Sequence, residues 1–497
     1  MSDIRENLYL AALLEGIDGI EKPTLSNEHF EILKKANEYA SAGNPEKGNF
    51  DFVASPFENL KGKSKPNKIG FDFQALNLSN AFFPNDKSKK TGSVNELWKN
   101  FKSDYNKYAQ QKSLKLKAET TLSLLQKYAV TIPNPTTIHP EVSWYDYTKI
   151  KAGLAVCIHD YKSSQEENKS ENPLLIIRAD ISGIQDFIGN IASKNASKNL
   201  KGRSFYVQLL VNTVLKLMLK KLNLFEGNVM YASGGNFFVI APNTEEIRGK
   251  KDENGNLIKK GKFQEFEEEI TKAIFKEHKT RIAVVMGSYP VSEPQILGGN
   301  IDKAILALFT KVIDKKKKQK FSVLIEDNYD AFFEPIDKGG DVILDAITGE
   351  EVKPDKNEKY WVVEDAEPKP VDFEDLKDDD DVISEKTAKQ IFIGSHLRKV
   401  DYWVVSERQL PFSEKKRTEI FPLPNYNSTK LYHYLIKEKQ LKKLNNFDDV
   451  IIYNINVLEA EITPFFTLYG GNDVPRFEVR YKEEVFSKKE NKNVSKT

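Results

Sequence analysis

A short apolar run ends on a carboxylate, Leu174-Leu175-Ile176-Ile177-Arg178-Ala179-Asp180, and two further apolar segments turn back on each other at Ser233-Gly234-Gly235-Asn236. The first run reads as a core strand that delivers Asp180 to a sheet edge. From Gly202 to Leu222, Tyr206, Leu210, Val214 and Leu217 recur at spacings of three and four, so an amphipathic helix can lie across that sheet. Asn228 to Ala232 and Phe237 to Ala241 are the arms of a hairpin whose tight turn Gly234-Gly235 permits. Phe263 to His278 is a second helix, with Phe263, Phe266, Ile270 and Ile274 on one face, and Arg281 to Tyr289 closes the unit as a strand. The order β-α-β-β-α-β is that of a ferredoxin-like palm in an α+β chain.

In palm enzymes two divalent ions clamp the reacting phosphates, and carboxylates at the end of the first strand and on the central hairpin hold them. This sequence has Asp180 at the first position and Asn236 at the second. An amide oxygen can coordinate Mg²⁺ but brings no charge, so the expectation is a palm that helps to bind a nucleotide and does not run two-metal chemistry alone. The candidate nucleotide-binding residues are Asp180, Ser182, Gly183, Ser233, Gly234, Gly235 and Asn236, with Lys201 and Arg203 as phosphate contacts. Each has a plainer alternative. The serines and glycines serve any sheet that turns there, and Lys201 and Arg203 suit the start of a solvated helix.

Four blocks in order carry a family resemblance. Asp180-Ile181-Ser182-Gly183-Ile184-Gln185, Ala192-Ser193-Lys194, Lys201-Gly202-Arg203-Ser204-Phe205 and Ser233-Gly234-Gly235-Asn236-Phe237-Phe238 resemble the first palm of the large, polymerase-like subunit of type III CRISPR interference complexes, especially the III-A kind. The resemblance extends more weakly to Val142–Tyr161, to Gly394-Ser395-His396-Leu397 with Tyr402-Trp403-Val404-Val405, and to the stretch from Phe465 to Pro475.

The departures from that family are informative. Where its N-terminal nuclease motif has a His-Asp pair, Leu13-Leu14-Glu15-Gly16-Ile17-Asp18-Gly19 has Glu15-Gly16. His159-Asp160 is a literal pair without further ligands in register, and reads as incidental. Cys157 is the sole cysteine, so a four-thiolate zinc site within one chain is impossible. The Gly-Gly-Asp-Asp hairpin of the family's second palm has no counterpart; Gly339-Gly340-Asp341-Val342 lies in a hydrophilic insertion and reads as a turn.

The 497 residues exceed one ordinary core. The expected division is a mostly helical, degenerate nuclease-like domain over 1–165, the palm over 170–295, a helix with an acidic insertion over 296–390, a mixed α/β region over 391–480 that leads toward a second palm, and a polar tail over 481–497. A net charge of +1 with 30% charged residues gives no global field for nucleic acid, so RNA contacts need local patches. Lys315 to Lys318 is one such run, although lysines also suit a helix C-terminus. Asp378 to Asp381 reads as a flexible acidic surface. No segment is apolar enough to span a membrane, no secretory leader is visible, and the single cysteine agrees with a cytoplasmic location.

The resemblance implies a split or truncated large subunit, with ATP between this palm and a second palm on another polypeptide whose acids bind Mg²⁺, and no zinc. Implied partners are the other type III subunits, with guide RNA and target RNA reached through the complex. Two alternatives stay open: an inactive scaffold for assembly and target-RNA sensing, and a stand-alone palm-fold nucleotide enzyme.

Overall fold

Serine side chains open four N-terminal helices. α1 spans Ser2–Leu14, α2 Asn27–Ala40, α3 Val94–Tyr108, α4 Leu114–Ala129 and α5 Trp144–Ser163. Ser26, Ser93, Ser113 and Ser143 accept hydrogen bonds from backbone N–H groups in the first turns of α2 to α5, each satisfying a donor the helix leaves open. The computed structural model describes residues 2–42, 50–55, 69–76, 84–86, 91–109, 113–136, 139–166, 169–189, 196–254, 256–327, 329, 343–354, 358–364, 367–397, 399–412, 419–420, 422–424, 426, 429–444, 450–458 and 461–469.

Beyond α5 lies the four-stranded sheet that organises the molecule. β1 (Leu174–Ser182) leads through a short helix, Ile184–Gly189, to α6 (Ala196–Lys221), then β2 (Val229–Ser233), β3 (Asn236–Pro242), α7 (Lys262–His278) and β4 (Ala283–Val291). The strand order is β4-β1-β3-β2, and every neighbouring pair is antiparallel. β1 is therefore an interior strand, not the deliverer of Asp180 to a sheet edge. The expected α6 gains a turn and a half at its start, because Ala196 to Lys201 carry no breaker and continue the helix.

Alternation along β1 divides its side chains between two cores. Leu175, Ile177, Ala179 and Ile181 face α6 and α7, where Tyr206, Leu210, Val214 and Leu217 meet Phe263, Phe266, Ile270 and Ile274. Leu174 and Ile176 join the core of the N-terminal helices, packed with residues of α1 and α5. Each fully buried Leu or Ile contributes roughly 1.5–3 kcal/mol relative to exposure, so this strand joins the two halves of the interior.

After β4, α8 (Ile301–Ala307) continues through a π-helical segment, Leu308–Ile313, into a final turn, Asp314–Lys317. The acidic stretch that follows contains ordered structure. β5 (Tyr360–Glu364), β6 (Glu367–Val371) and β7 (Val382–Ile383) form a three-stranded sheet beside a small core of Ile347, Ile383, Ala388, Ile391 and Phe392. α9 (Glu385–His396) then crosses α6, and β8 (Tyr402–Ser406), β9 (Glu419–Ile420), β10 (Tyr432–Ile436), β11 (Val450–Leu458) and β12 (Glu461–Tyr469) form a five-stranded sheet in the order β9-β10-β8-β11-β12. The chain is α+β. Among the described residues no helix is long and apolar enough to cross a membrane.

Candidate functional site

The β2–β3 turn is two glycines long, Gly234 at φ 62° and Gly235 at φ 92°. Both angles lie where a side chain is strained, so the pair closes the hairpin with Ser233 opposite Asn236. The Gly235 carbonyl accepts from the Ile181 N–H at 2.8 Å, tying the turn to β1. In the β1–β3 ladder Asp180 stands directly opposite Asn236. Paired residues of an antiparallel ladder share a face, so the carboxylate and the amide emerge side by side. Ser182 ends β1 opposite Ala283, and Gly183 follows at φ 92°.

Asp180 is largely enclosed, and its neighbours are cations. Lys317 Nζ lies 2.8 Å from Oδ2, and Arg178 Nη2 lies 3.5 Å from Oδ1. The Arg178 guanidinium stacks on Phe309 at 3.8 Å from the ring centre, and the Phe238 ring centre lies 5.4 Å from it. Burial holds the Arg178 pKa below its ordinary value, while Asp180 and Asp314 work to keep it charged. Its Nε and Nη1 have no hydrogen-bond partner. Among the described residues no group of three or more His, Cys, Asp and Glu side chains could hold a metal ion. The residues at Asp180 do not suit a divalent ion: the adjacent side chains are a lysine, an arginine and a neutral amide.

The two phosphate candidates on α6 have different surroundings. Lys201 is half-buried in the second turn. Arg203 is 2% exposed; its Nε donates to Gln390 Oε1 at 2.9 Å and its Nη1 to the Phe187 carbonyl at 2.7 Å. The expectation that Arg203 meets phosphate is therefore corrected. Its guanidinium is spent inside the protein, joining α6 to α9 and to the short helix after β1.

The remaining sequence candidates also find places. Glu15, in the stretch expected to be a degenerate nuclease motif, pairs with Lys151 at 2.7 Å. Asp160 of the His159-Asp160 pair is gripped by Arg5, whose Nε and Nη2 both donate at 2.8 Å. Cys157 is buried, and burial pushes its thiol pKa up. Asp378 to Asp381 form the turn before β7, where Asp380 Oδ2 accepts from the Lys377 N–H at 2.9 Å. Within Lys315 to Lys318, Lys316 pairs with Glu267 of α7 and Lys317 with Asp180. Ala192-Ser193-Lys194, Gly339-Gly340-Asp341-Val342 and Gly470 to Pro475 lie outside the described residues. Sequence reasoning missed Lys317 and Phe309 as neighbours of Asp180. The lysine run was visible, but nothing local marks which lysine crosses to the sheet.

With this geometry in view, the comparisons are specific. Residues 173–337 match the family model of Csm1 subunit domain B. Over much of its length the chain is similar to Cas10/Csm1. It is 27% identical over 343 residues to the subtype III-A CRISPR system single-strand-specific deoxyribonuclease Cas10/Csm1 of Methanocaldococcus jannaschii, covering 61% of this chain and 40% of that protein. The protein of the same description from Thermococcus onnurineus is 30% identical over 165 residues, which cover 32% of this chain and 21% of that one. The chain thus spans two fifths or less of the length of these curated relatives. Among solved structures, the Csm1-Csm4 subcomplex of the type III-A CRISPR-Csm interference complex has a chain that aligns with a TM-score of 0.50 at 19% identity, covering 86% of this chain and 51% of that one. That likeness is one of fold.

Proposed function

We propose that this chain serves in a type III CRISPR effector complex as the part of the large subunit that carries the first palm, with a ferredoxin-like topology, and that it forms one wall of an ATP pocket. The observation that carries the reading is the placement of Asp180 opposite Asn236 at the glycine hairpin, inside the segment that matches Csm1 domain B. A second palm outside these 497 residues completes the pocket and brings the acids that hold Mg²⁺. On this side Asn236 and the hairpin N–H groups donate to phosphate or ribose oxygens, and Asp180 holds the cations beside it in position. The remaining surfaces bind other type III subunits, a Csm4-like protein among them, and guide and target RNA are met through the assembled complex in the cytoplasm.

A scaffold without turnover is the second reading. It is favoured by the ion pairs at two positions where metal chemistry would be sought, Glu15 with Lys151 and Asp180 with Lys317. Purification of tagged chain from its host, followed by ATP turnover with target RNA, separates the two. Copurifying type III subunits with RNA-dependent oligoadenylate synthesis support the pocket; the same subunits without synthesis support the scaffold. A chain that recovers none of them ends both.

A further inference from the structure

The sheet face at Asp180 is covered by a helix whose last turn brings a lysine to the carboxylate. Lys317 takes Oδ2 at 2.8 Å and Arg178 stands 3.5 Å from Oδ1, so both oxygens already face cations. Arg178 has no easy alternative, because its Nε and Nη1 are buried without partners. Drawing Asp180 toward a metal ion would leave that guanidinium without its carboxylate, and an uncompensated buried charge is costly. Across the ladder Asn236 adds no negative charge.

The helix is built to hold this position. Gly287 pairs with Arg178 in the β1–β4 ladder. A Cβ there would come within 2.8 Å of Val312 and 2.9 Å of Ile313, so the absent side chain lets the π-helical segment sit on the strand. Phe309 of that segment stacks on Arg178. The wider π turn resets the phase of the residues after it, and Lys316 and Lys317 diverge to Glu267 and Asp180. Asp314 offsets part of the Arg178 charge. The Lys317 side chain remains 41% exposed, and an ammonium has three donors, of which Asp180 needs one.

We infer that Lys317 is the cation of this palm face: it neutralises Asp180 where a palm enzyme keeps a divalent ion, and its exposed side receives a nucleotide phosphate. This deepens the ATP pocket proposed above and rests on it. Asp180 then orients a lysine and does not ligate metal.

Two measurements test this, on the full chain and on the chain within its copurified complex. Mn²⁺ titration of the full chain by electron paramagnetic resonance should be the same for wild type and Asp180→Asn. Photolabelling of the complex with 8-azido-ATP in EDTA should fall roughly ten- to a hundredfold for Lys317→Gln, the cost of one charge-assisted hydrogen bond, and be largely restored by Lys317→Arg. A wild-type Mn²⁺ site lost in Asp180→Asn overturns the inference and leaves the pocket standing, as does undiminished labelling of Lys317→Gln. Absence of labelling in every form, with or without Mg²⁺, removes the pocket and with it this role of Lys317. Circular dichroism of Lys317→Gln guards against misfolding, and if that variant is unfolded, Lys317→Met is read in its place.

Discussion

Gly202 and Gly394 meet where α6 crosses α9. A Cβ on Gly202 would lie 1.8 Å from the Gln390 carbonyl oxygen and 3.1 Å from the Gly394 nitrogen; one on Gly394 would lie 1.9 Å from the Lys198 carbonyl oxygen and 3.0 Å from the Gly202 nitrogen. The two backbones therefore touch without intervening side chains. Beside this contact Arg203 reaches Gln390, so the crossing fixes the four-stranded sheet and its helices against the region that follows.

Replacing either glycine by alanine forces the helices apart. Gly394→Ala should cost about 1–3 kcal/mol, the usual range for an overpacked contact, even though alanine is the better helix former. Urea unfolding followed by circular dichroism reads the change, and a midpoint equal to wild type would mean that the crossing is looser than its geometry.

Arg203→Ala should be a stability mutation. It removes the donors to Gln390 and to the Phe187 carbonyl and leaves a cavity, a loss of about 2–4 kcal/mol. Arg203→Lys should recover only part of it, because one ammonium cannot match a planar fork. Thermal unfolding of the three forms orders them, and equal melting points for Arg203→Ala and wild type would count against an internal role.

Acid should weaken the fold through two histidines. His433 accepts from Trp403 Nε1 at Nδ1 at 2.9 Å and lies 2.7 Å from the Thr213 hydroxyl at Nε2; Thr213 donates onward to Leu209, so the network assigns the proton to Nε2. Burial holds the His433 pKa down to about 3, and burial with the Lys386 charge does the same to His278. The unfolded chain binds protons near pH 6.5 and the folded one does not, so stability is lost as pH falls from about 6.5 toward 3. The slope is about 1.4 kcal/mol per pH unit for each histidine. Denaturation at pH 7 and pH 5 measures it, and His433→Gln should remove about half of the difference, leaving the His278 share.

Asp180→Ala or Asn236→Ala in the reconstituted complex should lower nucleotide affinity or synthesis about ten- to a hundredfold while assembly with RNA persists. Wild-type synthesis from a well-folded double mutant would leave the hairpin as a turn and the chain as a scaffold.

Much of the four-stranded sheet and its helices is legible in the sequence because the signals are local. The apolar run from Leu174 that ends at Asp180 and the spacing of Tyr206, Leu210, Val214 and Leu217 act over a few residues, and the strands and helices form where those patterns are found. Two glycines between apolar arms fix the hairpin and set Ser233 against Asn236, but Asn236 faces Asp180 only because β3 pairs with the distant β1. The same locality hides the rest. Arg203 and Lys201 are indistinguishable as sequence, yet one is enclosed against Gln390, 187 residues away. Four adjacent lysines look alike, and only the π turn on Gly287 selects Lys317 for Asp180. Periodicity determined which faces are apolar; the partner of each buried or half-buried charge was decided by which distant elements pack together, since a charge leaves water only where an opposite charge or a donor is already in place.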